Sequence, residues 1–114
     1  MWKDLEPEII RQRLIIEGHT NDKINDNEIK NYLRKLGEVC NMKVLMEPIT
    51  HLSKKFGWSG WVHWETSGTH IYIWDDKEVF FSVDIYTCKR FNVNGAVNFT
   101  KKYFKCHDLV WKEV

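Results

Sequence analysis

Between residues 56 and 88, apolar runs alternate with short polar breaks. The runs cover residues 60–65, 69–74 and 78–86, and they are rich in aromatic and β-branched side chains, which suit a pleated, half-buried surface. The breaks at residues 66–68 and 75–77 contain Ser, Gly and Asp, which are common in turns. The pattern therefore predicts a meander of three strands joined by two turns.

Two stretches that flank this meander have apolar residues at helical spacing. In residues 26–42 the apolar positions are 29, 33, 36, 39 and 40, and Asn25 with Glu28 resembles a capping box. In residues 93–104 the repeating positions are 93, 96, 97, 100 and 104, and Asn92 is the predicted cap. Each stretch is therefore predicted to form a helix that buries one face.

Three further strands are predicted at residues 8–17, 43–49 and 109–114. In the strand predicted at residues 8–17, Arg11 and Arg13 face one side, and Leu14 and Ile16 face the other. A solvated strand face explains the two arginines better than an anion-binding site. The resulting order is β-α-β-β-β-β-α-β. It predicts one α+β domain over residues 1–114, a two-layer sandwich with a mainly antiparallel sheet and both helices on one face.

Composition narrows the functional classes. The formal net charge is +1, with Lys and Arg spread along the chain, which argues against a nucleic-acid partner. The chain has three cysteines, Cys40, Cys88 and Cys106. Their odd number and the absence of a CxxC pair argue against a disulfide framework. Cys40 is predicted to be a buried apolar residue. The histidines lack metal-ligand spacing, and no signal core or membrane-spanning run is present, so we expect a cytoplasmic protein without a metal.

Three small nucleophilic side chains mark the meander: Ser59 before it, Ser67 in its first turn and Cys88 just after it. They belong to an ordered set of Phe56, Gly57-Trp58-Ser59-Gly60, Thr66-Ser67-Gly68, Trp74 and Asp84-Ile85-Tyr86-Thr87-Cys88. The order and spacing of this set resemble the core of the prokaryotic S-adenosylmethionine decarboxylases. Weaker similarity extends over most of the chain.

The resemblance implies a pyruvoyl-dependent decarboxylase. Ser67 would attack the carbonyl of Thr66, and self-cleavage at Thr66–Ser67 would convert Ser67 into a pyruvoyl group that forms a Schiff base with the substrate amine. The implied substrate is S-adenosylmethionine, used in polyamine (spermidine) biosynthesis. In the family, the residue that matches Ser59 assists processing, and the one that matches Cys88 donates a proton to the decarboxylated carbon.

The resemblance also implies a substrate-binding surface. Phe56 and Trp74 match aromatic residues near the family's substrate, where an adenine ring or a sulfonium cation would bind. Asp76 lies near the place of an acidic residue of the family. Each of the three has a plainer interpretation as a core or surface residue.

This chain departs from the family pattern at three positions. Thr66 stands in place of Glu, Gly68 in place of His, and Tyr72 in place of the processing His. His70 shares a strand face with Tyr72, because side chains on a strand alternate with period two, and it is a further candidate for proton transfer.

Two alternative functions follow from these departures. The pocket could suit a plain amino acid such as arginine or ornithine, with Asp76 or Asp84 as the acidic partner of its cation. Alternatively, the chain is an unprocessed, non-catalytic homologue that binds a ligand or a partner.

Six Trp residues are many for 114 residues and indicate aromatic packing or an interface. The resemblance implies a homodimer, because the prokaryotic family builds its active sites from two subunits. We expect an isologous two-fold interface on the aromatic face of the meander, with Trp58, Trp61 or Trp64 as candidates and core packing as the alternative.

Overall fold

The computed structural model describes residues 1–114. In chain order its elements are β1 (Gln12–Thr20), α1 (Asp26–Val39), β2 (Ile49–Ser53), β3 (Gly57–Trp64), β4 (Ser67–Asp75), β5 (Val79–Thr87), α2 (Val93–Tyr103) and β6 (Asp108–Glu113). The strands form one antiparallel sheet in the order β2-β3-β4-β5-β1-β6, and the helices pack on one of its faces. The predicted element order and two-layer α+β sandwich are confirmed.

The two faces of the sheet differ in burial because side chains alternate along each strand. On β4, Thr69 and Ile71 are fully buried beneath the helices, whereas His70 and Tyr72 point away from them and are exposed. We call the side without helices the open face. Its aromatic side chains come from three neighbouring strands and are Trp61, His63, His70, Tyr72, Trp74, Phe80 and Tyr86.

The core lies between the covered face and the two helices. Tyr32 of α1 is fully buried, and its hydroxyl lies 2.8 Å from Oγ1 of Thr100 on α2. Its ring centroid lies 4.6 Å from that of Phe104. Cys40 is 1% exposed, as predicted, and burial raises the pKa of its thiol to about 12.

The two glycines of the Gly57-Trp58-Ser59-Gly60 segment have separate structural reasons. Gly57 has φ +89°, and a Cβ there would lie 2.6 Å from the backbone oxygen of Ile73. A Cβ on Gly60 would lie 2.5 Å from Cγ2 of Ile29, because α1 crosses β3 at this point. The second glycine therefore lets the helix pack directly on the sheet.

The first strand begins later than predicted. Residues 8–11 lie outside the sheet, and β1 covers Gln12–Thr20. The reason is the length of the neighbouring strand: β5 ends at Thr87, which pairs with Gln12. Arg11 instead bonds Asp4, with Nη2 and Oδ1 2.6 Å apart.

The strand predicted at residues 43–49 is wrong. Within this range Val44 forms an isolated bridge to Trp64, and only the last residue, Ile49, lies in a strand. The strand that pairs with β3 is Ile49–Ser53, most of which was predicted to be a loop. Pro48 lies between the two segments and has no N–H to donate to a sheet.

The three Trp residues proposed for an interface differ in environment. Trp64 is fully buried beside α1 and belongs to the core, which removes it from the interface candidates. Trp58 and Trp61 are half-buried. Of the other three, Trp2, Trp74 and Trp111 are 85%, 43% and 48% exposed.

Candidate functional site

Ser67 begins β4 in the middle of the sheet. Its Cα partners are Trp64 on β3 and Thr87 on β5, so residues 65 and 66 form the tight turn before it. Its side chain points toward the helices and is 7% exposed. The Ser67 Oγ lies 3.1 Å from Oγ1 of Thr66 and 3.5 Å from Sδ of Met42.

The peptide bond that precedes Ser67 has a polarised carbonyl. The Thr66 oxygen accepts a hydrogen bond of 2.9 Å from the N–H of Cys88. A backbone N–H in this position stabilises negative charge on the oxygen when a nucleophile attacks the carbonyl carbon. A hydroxyl, a carbonyl and a backbone N–H, from Ser67, Thr66 and Cys88, thus lie next to one another.

Met42 reaches Ser67 through the turn that ends α1. Asn41 has φ +57°, its N–H donates to the oxygen of Glu38 at 3.0 Å, and the N–H of Met42 donates to the oxygen of Gly37 at 2.8 Å. These are the two hydrogen bonds of a Schellman motif. The motif fixes where the chain leaves the helix and places the Met42 thioether against the start of β4.

A cavity of about 760 Å³ opens beside Ser67. Its lining residues are Arg13, His63, Glu65, Thr66, Ser67, Gly68, His70, Asp84, Tyr86 and Cys88. The structure therefore brings together three of the predicted site residues: Ser67, Cys88 and His70. The rings of His63 and His70 both lie near that of Trp61, with centroids 6.2 Å and 5.9 Å from its own.

The acidic side chains of this cavity already have basic partners. Arg13 donates two hydrogen bonds to Asp84, of 3.0 Å and 2.8 Å. The hydrogen bond to Asp84 raises the pKa of the Arg13 guanidinium, so this residue stays charged. Glu65 lies 3.8 Å from Nζ of Lys43.

Four of the remaining predicted residues form a second cluster at the other end of β4. Ser59 pairs with Tyr72, and both line a cavity of about 320 Å³ together with Phe56 and Trp74. Tyr72 is five residues from Ser67 along an extended strand, which corresponds to roughly 17 Å. Within one chain, Ser59 and Ser67 are therefore too far apart to act on the same bond, although His70 lies between them and lines a groove together with Ser59 and Tyr72.

Asp76 lies in the exposed turn between β4 and β5 and lines neither cavity. His63 and Met42 are the residues that sequence reasoning missed. His63 could have been found, because a two-residue turn at 65–66 pairs position 63 with Gly68. Met42 carried no such signal, because its contact with Ser67 is made across the two layers of the fold.

Residues 12–114 match the family profile described as S-adenosylmethionine decarboxylase. The chain belongs to this family. Among solved structures, the adenosylmethionine decarboxylase from Aquifex aeolicus VF5 has the same fold, with a TM-score of 0.71 and 16% identity over 93% of this chain and 89% of that chain. A comparison with curated protein sequences gives no significant match. The family predicted from the Ser59, Ser67 and Cys88 spacing is confirmed.

Neither helix has the length and apolar character needed to cross a membrane. No three His, Cys, Asp or Glu side chains are placed so that they could bind one metal ion.

Proposed function

We propose that this family member is a pyruvoyl-dependent S-adenosylmethionine decarboxylase that forms its own prosthetic group by cleavage at Thr66–Ser67. Besides family membership, the main support is the position of the Ser67 hydroxyl next to a carbonyl whose oxygen is already bonded to the Cys88 N–H at 2.9 Å. A serine in this position can attack the preceding peptide bond without a metal or a second enzyme.

Cleavage proceeds in steps that this site can accommodate. The Ser67 Oγ bonds to the Thr66 carbonyl carbon, the C–N bond breaks, and the proton of the hydroxyl ends on the Ser67 nitrogen, which leaves an ester. Loss of the Ser67 Cα proton then breaks the ester C–O bond and releases the Thr66 carboxylate. Water replaces the remaining amine, which leaves as ammonia. The imidazoles of His63 and His70 line the same cavity and are the bases available for the Cα proton.

The pyruvoyl group, when present, supplies a ketone that reacts with the substrate amine and accepts the electron pair released with carbon dioxide. The surroundings of Ser67 fit such a group: the residue borders a cavity in the usual size range for a small ligand. Cys88 lies at the rim, is exposed, and holds a thiol that can return a proton to the substrate carbon.

The electrostatics of the cavity favour an adenosyl substrate over arginine or ornithine. A cationic side chain needs an acidic partner, but Asp84 is engaged by Arg13, and Asp76 lies outside the cavity. Aromatic rings are abundant on the open face, and Tyr72 and Trp74 are 46% and 43% exposed there. Such rings suit an adenine ring and a sulfonium cation.

We further propose that two copies form the active site together. In one chain Ser59 and Ser67 lie roughly 17 Å apart by strand length. The Ser59 cavity and the His63 and His70 side of the Ser67 cavity both border the open face. A two-fold axis through the open face would place the Ser59 cluster of one copy over the Ser67 cluster of the other. Stacking two such faces would also cover their exposed aromatic side chains.

Intact-mass spectrometry tests the processing step. Purified wild type is expected to separate into residues 1–66 and a second chain from residue 67 that carries the pyruvoyl group. Ser67→Ala should stay whole, and Ser82→Ala is the matched control, because Ser82 lies on the neighbouring strand and lines neither cavity. Wild type that remains a single species, under conditions in which relatives cleave, would refute the proposal and favour the non-catalytic homologue.

Carbon dioxide release tests the substrate. Processed protein is given S-adenosylmethionine, arginine and ornithine, each labelled in the carboxyl carbon. Release from S-adenosylmethionine alone is expected. Turnover of arginine or ornithine alone would preserve the processing mechanism and replace the substrate.

Complementation tests the shared active site. Ser67→Ala and Ser59→Ala are expected to be inactive by themselves. Co-expressed, they form mixed dimers in which one of two sites is intact, so activity should return to about a quarter of wild type for random association. The measurement is decarboxylation by the co-expressed pair; no recovery, with dimers present in light scattering, would contradict a shared site.

A further inference from the structure

The hydroxyl of Ser67 has two polar neighbours, and neither is a base. They are Oγ1 of Thr66 at 3.1 Å and Sδ of Met42 at 3.5 Å, and Thr66 Oγ1 itself lies 3.5 Å from the same sulfur. A thioether accepts a weak hydrogen bond but cannot take the proton away. Ser67 must lose this proton to act as a nucleophile.

We propose that Met42 is a brake on self-cleavage, a positioning residue that holds the Ser67 hydroxyl in an unreactive orientation. The inference rests on the proposed processing of Ser67. The contact with sulfur stabilises the protonated hydroxyl before reaction. It contributes nothing after the proton has left, because the alkoxide has no hydrogen to donate. An interaction present only in the ground state raises the barrier.

The fold keeps Met42 in this position. The Schellman hydrogen bonds fix its backbone to the end of α1, and its side chain is 7% exposed. The helix end itself cannot shift freely, because a Cβ on Gly37 would already lie 2.9 Å from Nε1 of the buried Trp64. The Met42 thioether therefore stays against Ser67 unless the end of α1 moves.

The brake controls only the first chemical step. When the Ser67 hydroxyl turns away from the sulfur, its Oγ bonds to the Thr66 carbonyl carbon, the C–N bond breaks, and the proton passes to the Ser67 nitrogen. Met42 is unchanged in this step and neither gains nor loses electrons. Variants at Met42 should therefore change the rate of cleavage and leave its site and products the same.

Three variants separate the hydrogen bond from packing. Met42→Leu keeps an apolar side chain of similar size and removes the acceptor, so cleavage should be about twice as fast, the factor that corresponds to one weak hydrogen bond. Met42→Gln restores an acceptor that is not a base and should be no faster than wild type. Met46→Leu, the same exchange at a half-buried methionine outside the contact, should match wild type.

The readout is the half-time of cleavage, followed by intact-mass spectrometry. To detect loss of packing, the thermal midpoint of unfolding is measured for each Met42 or Met46 variant combined with Ser67→Ala. Faster cleavage in Met42→Leu alone, in a series in which wild type also cleaves, supports the brake. If wild type cleaves and Met42→Leu is equal or slower, the brake is overturned and the proposed function stands. Faster cleavage in Met42→Gln as well would assign the effect to packing and overturn the brake.

A second measurement does not depend on cleavage. The protein is labelled with 13C-methyl methionine, and the methyl NMR signals of Ser67→Ala are compared with those of Ser67→Cys, which retains a hydrogen-bond donor. The Met42 signal should differ between the two variants, and the Met1 and Met46 signals should not. If no variant cleaves, the proposed function fails. In that case an unchanged Met42 methyl signal would also overturn the contact between Met42 and Ser67. A shifted Met42 signal would show that this contact exists.

Discussion

Gly60→Ala tests whether α1 rests on β3 as closely as the structure describes. The added Cβ would lie 2.5 Å from Cγ2 of Ile29, and 3.2 Å and 3.3 Å from side-chain carbons of Ile71 and Leu33. Favourable carbon contacts are about 3.5–4.0 Å long, so Ile29 must retreat by roughly 1 Å. Ile29 is fully buried and β-branched on a helix, which leaves it essentially one rotamer, so the helix itself has to move.

Overpacking of this kind costs about 1–3 kcal/mol in the free energy of unfolding. For a domain of this size, this loss of unfolding free energy corresponds to a decrease of roughly 1 M in the midpoint of urea unfolding. The assay is equilibrium unfolding by far-ultraviolet circular dichroism, in the Ser67→Ala background so that every sample is a single chain. Gly68→Ala is the matched control: its Cβ would meet only the Val62 oxygen at 3.3 Å and Trp61 Nε1 at 3.9 Å.

A double-mutant cycle identifies the clash. Ile29→Leu removes the Cγ2 methyl and nearly conserves volume, so by itself it should cost less than about 1.5 kcal/mol. In the Gly60→Ala background it should recover part of the lost stability, because the offending methyl is gone. Gly60→Ala with unchanged stability, or strictly additive costs in the cycle, would refute the packing of α1 on Gly60.

The remaining predictions concern the thiols and the link between the helices. At pH 8 a thiol reagent should label Cys88 quickly and the other two slowly, because Cys88 is exposed and burial raises the pKa of Cys40 to about 12 and of Cys106 to about 11; two or more fast thiols in the folded protein would contradict this. Since the pKa of Cys40 is raised above its ordinary value of 9.0, its contribution to stability is complete below pH 9 and is lost as the pH rises toward 12, so Cys40→Ala should weaken the alkaline unfolding seen by circular dichroism. Tyr32→Phe removes the 2.8 Å contact with Thr100 and should lower the free energy of unfolding by about 1 kcal/mol in urea; a change near zero would mean that the contact does not link the helices.

The sequence predicts local structure well wherever periodicity and caps agree. Asn25 and Asn92 cap the helices as predicted, with their side chains accepting from the N–H groups of Glu28 and Gly95 at 2.9 Å. The three meander strands are also found. The errors occur at β1 and β2, where the start of a strand is set by the length of its partner or by a proline, and neither can be read from alternation alone.

For the site, the order of residues along the chain indicates which chemical groups are present and that Ser67 lies beside Cys88, since neighbouring antiparallel strands bring the end of β5 to the start of β4. The packing of the folded chain was needed to find that Ser59 and Ser67 line separate cavities, that Arg13 bonds Asp84, and that Met42 contacts Ser67. The physical reason is the range of the interactions. Helical and strand periods are set by near neighbours in the chain, whereas these contacts join residues that are brought together only when the helices pack on the sheet.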